Sequence, residues 1–295
     1  MKLKKLYKIN YTKHNLKIAH LILTHGSPLQ LKRLLTKLLH TDTAVFIHVD
    51  LKTDIQEYLF FEAIPNVYLI KKRVFVNWGG YSIVQATVNL CKEVISTGIA
   101  FDYVNLLSGQ DYPIKSHEQI HQFLADNQGK AFMEFYSVTD LWQEAIPRLT
   151  QYHLTDFRFK GANKLERLIN FILPERKMPN GLVPVGRSQW FTLPLEQVKY
   201  VVDYLTKNPA VKSFFSYTWG SDEIIFQTIL FNSPFKDAMI NNNLRYIDWS
   251  EKRASPKVLT MQDAGLLMQS DKLYARKFSL TVDSGILDYI DDQIS

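Results

Sequence analysis

Cysteine is almost missing from this chain: among 295 residues only Cys91 carries a thiol. One thiol makes neither an intramolecular disulfide nor a multi-thiolate zinc site, which excludes a disulfide-stapled scaffold and a zinc finger and predicts a reducing compartment. Long apolar runs are missing as well. No window reaches the eighteen or so uncharged apolar residues of a membrane span, and the basic start MKLKKLYKINYTKHNLK lacks the apolar stretch of a signal peptide. The expectation is a cytoplasmic chain that neither enters secretion nor spans a bilayer. Its first lysines are either solvated or in peripheral contact with an anionic inner-membrane surface. Familiar phosphate and hydrolase signatures are absent too, with no G-x-x-x-x-G-K-[ST], no G-x-G-x-x-G after the first strand and no G-x-S-x-G. Nor is there an Asp-x-Asp, the pattern by which a divalent cation is held against a nucleotide diphosphate through oxygen ligands.

What is present is an ordinary globular composition, 46% hydrophobic and 22% charged. Lys and Arg number 35 against 29 Asp and Glu, a formal charge of +6 that favours anionic ligands. Those basic residues are dispersed and match no nucleic-acid motif, so a nucleic-acid partner is not expected.

The first half alternates short apolar runs with helical periodicity, the pattern of a layered α/β sheet with crossover helices. Strands are expected at Ile18–Thr24, Ala44–Val49, Val67–Phe75, Tyr103–Leu107 and Ala131–Tyr136. Helices are expected at Leu29–Leu39, Tyr81–Thr97 and His117–Asp126, with Ser82/Gln85 and Ser116/Gln119 as capping boxes. After about residue 140 the alternation weakens. The stretch Arg148–Arg176 is basic and aromatic, and Pro174, Pro179, Gly181, Pro184 and Gly186 predict a long lid-like or binding loop. Regular pattern returns at strand Gln189–Leu193, at a helix opened by Pro194 and at a helix after Trp219-Gly220-Ser221, and Lys257–Met261 reads as a late strand. One domain is expected over 1–295, with a nucleotide-binding half at about 18–137 and a half for acceptor and diphosphate at about 138–295.

Ligands of open α/β sheets sit beyond the carboxyl ends of the strands, which points to His25, His48 and Asp50. Ser221-Asp222-Glu223 opens a helix behind the aromatic run Phe214–Trp219. Those acids serve either as a helix cap or, partly desolvated, as a general base beside a sugar-binding aromatic face. Lys252, Arg253, Lys257, Lys272, Arg276 and Lys277 form either a solvated face or, with no metal to neutralise a leaving diphosphate, its cationic clamp.

These segments resemble the core-2/I-branching β-1,6-N-acetylglucosaminyltransferases and peptide O-xylosyltransferases in a short bacterial-type form. The resemblance runs through ILTHGSP, IHVDLKTD, WGGYSIVQATVNL, YVNLLSGQDYPIKS, GRSQWFTL, WGSDEIIFQTIL and LYARKF. It implies a GT-A type fold, a Rossmann-like mixed sheet with flanking helices. It also implies a UDP-sugar donor, most simply UDP-GlcNAc with UDP-xylose as the alternative, a glycan acceptor in bacterial surface-polysaccharide synthesis, inversion, and no cofactor or metal. By the same resemblance Glu223 is the base. Asp50, Trp78, Arg253 and Lys277 hold the nucleotide-sugar, and Asp111, Glu134 and Trp219 face the acceptor. Glu134 also reads as a plain edge-strand carboxylate, and Trp190 is an alternative stacking face. A turnover-dead glycan- or nucleotide-sugar-binding protein remains the competing class. The disulfides, stem and membrane anchor of animal members have no counterpart in this sequence.

Overall fold

The computed structural model describes residues 16–294, so the lysines preceding Leu16, expected to graze a membrane, lie outside the described residues. Strands β1 (Ile18–Thr24) and β2 (Thr43–Val49) are apolar along nearly their whole length and buried on both faces, as parallel central strands require. Between them runs α1 (Pro28–Leu38), capped by the Ser27 hydroxyl, which accepts from the Gln30 amide at 3.4 Å, and opened by Pro28. The remaining strands are β3 (Val67–Leu69), β4 (Tyr103–Ser108), β5 (Asp111–Pro113), β6 (Ala131–Ser137), β7 (Val185–Pro194), β8 (Met239–Asn241), β9 (Arg245–Ile247) and β10 (Tyr274–Arg276). The large sheet has the order β3-β2-β1-β4-β7-β6-β8, parallel from β3 to β4, with β7 antiparallel to both β4 and β6. A small sheet, β5-β10-β9, stands beside it. The α/β mixed sheet with flanking helices is the expected fold class.

Helices α2 (Tyr81–Ser96), α3 (His117–Asp126), α4 (Ile146–Thr150), α5 (Ala162–Ile172), α6 (Leu195–Lys207), α7 (Pro209–Ser216), α8 (Ile225–Phe231), α9 (Ala264–Gln269) and α10 (Gly285–Ile294) complete the chain. Two apolar clusters fill the faces of the large sheet, and the strand period of two sorts residues between them. Ala19 and Leu21 join α2 and α6 on one side, while Ile18 and Ile22 join α1, α3 and α10 on the other. Each cluster draws residues from both halves of the chain. The two sheets are riveted by Arg245, whose buried guanidinium donates to Leu106 O at 2.8 Å, Phe191 O at 3.1 Å and Thr192 Oγ1 at 3.1 Å. Among the described residues no helix is long and apolar enough to cross a membrane.

Several expected elements are different. The third strand ends at Leu69, because the chain beyond it is drawn onto the end of β2. Val74 N donates to His48 Nε2 at 2.9 Å, and Arg73 donates to Val49 O and Asp50 O. Ser116/Gln119 forms a capping box, whereas α2 is capped at Gly80 and Ser82 instead donates to Asp156 Oδ1 at 2.6 Å. Lys257–Met261 is not a strand, since Lys257 is held by Asp263 at 2.6 Å. The expected long loop contains α5.

Candidate active site

The carboxyl ends of β1, β2 and β4 open into a cavity of about 1250 Å³ that continues across β6 and β7 to the turn Ser221–Glu223. At the strand-end pole, Asp50 is buried and accepts from Lys52 N at 2.9 Å, with Lys52 Nζ at 3.4 Å from its other oxygen. The turn Ser108–Gln110 is fastened to the last segment of the chain, since Phe278 N donates to Gln110 O at 2.9 Å and Gln30 Nε2 donates to Phe278 O at 2.8 Å. That attachment brings Lys277 to this pole, where its ammonium donates to Ser255 Oγ at 3.0 Å and burial lowers its pKa. Arg253 also lines the cavity, but its side chain is 75% exposed and lies 3.5 Å from Glu251.

At the other pole sits Glu223. The chain reaches it through Gly220, whose left-handed backbone (φ 65°) suits a residue without Cβ. Added there, a Cβ would lie 2.8 Å from Arg148 Nη1. The Arg148 guanidinium lies over Trp219 at 4.2 Å and Trp142 at 4.8 Å, and donates to Glu223 Oε2 at 2.6 Å. Burial raises the Glu223 pKa while Arg148 opposes the rise. Asp222, deeper and further from that cation, is raised by burial and by the charge of Glu223 beside it. The two acids share one desolvated turn and titrate as a coupled pair, with Arg148 donating to Glu223.

Trp219 meets Trp78 edge to face, with centroids 5.5 Å apart, at the cavity wall. The close approach depends on Gly79, where a Cβ would fall 2.5 Å from the Trp219 indole nitrogen. Glu134 faces the same pole. Its Oε2 accepts from Asn243 Nδ2 at 3.2 Å, and Arg187 Nε lies 3.7 Å from Oε1. A register shift between β6 and β7, spanning Met133 to Phe135, creates this corner. Burial raises Glu134, and Arg187 and Lys272 hold it down.

The structure therefore gathers Asp50, Trp78, Glu134, Trp219, Glu223, Arg253 and Lys277 around one cavity. Asp111 is not among them. It is buried, accepts from Ser108 N at 3.0 Å and Ser108 Oγ at 2.7 Å, and lies 3.4 Å from Arg276. Its place is beneath the wall, as a brace for the β4 turn. The basic group also divides: half-buried Arg276 lies over Trp190 at 3.9 Å and within reach of Asp111, while Lys272 sits near Glu134, and both line the cavity. The sequence reading leaves out Arg148 and Arg187, whose meeting with Glu223 and Glu134 depends on tertiary packing. A helical-register clue existed only for neighbours on one helix.

The sequence also contains H-E-x-x-H, at His117-Glu118-Gln119-Ile120-His121, a spacing that holds zinc in metalloproteases. It opens α3 near the start of β2, away from the cavity. His117 stacks between His40 and His121, with centroids at 3.6 and 3.8 Å. Among the described residues no group of three or more His, Cys, Asp or Glu is arranged to hold a metal ion.

The family profile described as Core-2/I-Branching enzyme matches residues 18–268. Xylosyltransferase 2 of Rattus norvegicus is 30% identical over an alignment of 308 residues that covers 93% of this chain and 33% of that protein. Xylosyltransferase 1 of the same species is 28% identical, with 94% and 35% covered. The chain thus spans about a third of the length of the curated relatives it matches. Among solved structures, mouse xyloside xylosyltransferase 1 in its apo form aligns at 10% identity and TM-score 0.39, covering 88% of this chain and 96% of that one.

Proposed function

The chain belongs to the Core-2/I-branching enzyme family, and from that premise we propose that it moves a sugar, GlcNAc, from a UDP-sugar to a glycan hydroxyl with inversion and without a metal. The observation that carries this reading is the Glu223–Arg148 pair, at 2.6 Å, facing a cavity whose opposite end holds Lys277. Glu223 takes the proton of the acceptor hydroxyl as that oxygen bonds to the anomeric carbon. The bond from that carbon to the diphosphate breaks, and its electron pair leaves on the phosphate oxygen. Lys277, with Arg253, meets the charge that grows there, so both ends of the cavity act more strongly on the transition state than on the bound substrates. Trp78 and Trp219 offer ring faces for the sugars, and Glu134 with Asn243 offers hydroxyl partners. The expected setting, bacterial surface-polysaccharide assembly, belongs to the same proposal. A second donor, UDP-xylose, is favoured by the relatives named xylosyltransferases.

UDP release, followed for UDP-GlcNAc and UDP-xylose with a panel of glycan acceptors, tests the reading. One donor should turn over, equally well with EDTA, and Glu223→Gln should lose about 10²-fold or more in turnover with donor affinity kept. Wild-type turnover in that variant would unseat the base. Activity that vanishes in EDTA and returns with Mn²⁺ would overturn the metal-free reading, and donor binding with no release from any acceptor would favour a binding protein.

A further inference from the structure

Helix α5 is amphipathic in the wrong sense for a helix packed on a core. It has no buried residue, and its protein-facing side is polar. Glu166 accepts from Leu154 N at 2.7 Å, and Asn170 clamps Tyr152 through both its backbone groups, at 2.7 and 2.8 Å. The outward stripe is apolar, formed by Leu165, Leu168, Phe171 and Ile172 at helical spacing, and Phe171 and Ile172 are 88% and 66% exposed. Exposed Phe157, Phe159 and Leu173 extend it at both ends.

The rim of this patch is basic. Arg158, Lys160, Lys164, Arg167 and Lys177 are all exposed around it, while Glu166 turns inward and Glu175 is the one acid left outside between Arg158 and Lys177. Aromatic and aliphatic residues framed by Lys and Arg are what an interfacial helix presents to anionic headgroups. The same rim argues against other occupants. A two-fold contact with a second copy would set like charges opposite each other, and the first fifteen residues are themselves rich in lysine and lack Asp and Glu. We propose that the outward face of α5, with its flanks Phe157–Lys160 and Leu173–Lys177, docks on an anionic phospholipid bilayer.

The segment is not a loose appendage. Arg176 is buried and donates to Gln151 O at 2.8 Å and Tyr217 O at 2.7 Å, and Phe157 stacks on Tyr217 at 5.8 Å. Tyr217 stands two residues before Trp219 of the cavity wall, so a docked α5 holds the chain at that wall. The inference does not depend on which sugar is moved.

The test is co-sedimentation of the full chain with unilamellar vesicles, either pure phosphatidylcholine or an equimolar mixture with phosphatidylglycerol. The wild-type chain should bind the mixed vesicles far better and lose binding as salt rises. Phe171→Ser/Ile172→Ser and Lys164→Glu/Arg167→Glu should each weaken binding by about tenfold or more. Because these side chains are exposed, melting temperature and donor binding should stay at wild-type values. No binding by the wild-type chain, or binding by both double variants at the wild-type level, overturns the proposal, the latter moving the contact to the N-terminal lysines. A wild-type dimer in sedimentation velocity that dissociates in Phe171→Ser/Ile172→Ser overturns it in favour of a second copy.

Discussion

Glu223 gains its chemistry from two opposed influences, burial that raises its pKa and Arg148 that lowers it. Removing the guanidinium in Arg148→Gln leaves burial and the Glu134 charge opposed only by Arg187, so the carboxyl protonates at higher pH. The acidic limb of the kcat/KM profile should move upward, with neutral-pH turnover falling more than donor affinity. An unmoved limb together with lower kcat would restrict Arg148 to orienting the carboxylate. The cations at the other pole are not equal either. Lys277 is partly desolvated at the Ser108–Gln110 turn, and Lys277→Ala should weaken UDP by roughly tenfold or more, the scale of a charge-assisted contact. Arg253, mostly exposed and shared with Glu251, should matter less in Arg253→Ala. Lys272 sits near Glu134, so Lys272→Ala should leave UDP affinity alone and weaken the acceptor. Calorimetry at fixed salt separates the three, and equal losses would mean a diffuse positive field with no dedicated phosphate contact.

Strand β7 carries the Ser221–Glu223 turn on its back. Gly186 lets the two backbones touch, and a Cβ there would lie 2.2 Å from the Glu223 carbonyl oxygen. Gly186→Ala must push the turn away, costing about 1–3 kcal/mol of stability and lowering kcat while donor affinity holds. Wild-type kcat and thermal stability would show that the turn relaxes without effect on the site. Packing of this kind also separates what the sequence revealed from what it hid. Central strands such as β1 and β2 were legible because burial on both faces demands an unbroken apolar run, and Ser116/Gln119 because a capping box is local. The carboxylate of Glu223 was legible through its aromatic neighbours. Arg148, 75 positions away in sequence, was not. Ser82 looked like a cap by its spacing to Gln85, but Asp156 reaches in from 74 positions away and takes its hydroxyl. Asp111 is placed at the acceptor by family resemblance, and only the fold shows that its oxygens are spent on Ser108.

Across the whole molecule, buried imidazoles set how the fold answers acid. His20 is held down to about 3, and His48 and His117 to about 4, burial being the first cause in each. His48 Nε2 already accepts from Val74 N, and His117 is stacked against His40 and His121, so protonation would break a hydrogen bond in one place and crowd like charges in the other. A folded-state pKa below the unfolded value of about 6.5 means that the unfolded chain binds more protons in the interval between them. These histidines therefore contribute stability that is fully present above about pH 6.5 and declines as the pH falls towards 4. Asp222, Glu223 and Glu134, all raised by burial, act in the opposite direction, Asp222 throughout that range, but four histidines stand against these three acids, since burial lowers His121 as well. The melting temperature should drop between about pH 6.5 and about pH 5, above the range in which paired carboxylates titrate. The double variant His117→Gln/His121→Gln removes the stacked pair while leaving His20 and His48, so its curve should fall less steeply than that of the wild-type chain. A flat wild-type curve over this interval would mean that the imidazoles titrate as they do in the unfolded chain. An equally steep curve in the variant would place the acid response in His20 and His48, beneath the sheet and at the cavity, rather than in the stack at the start of α3.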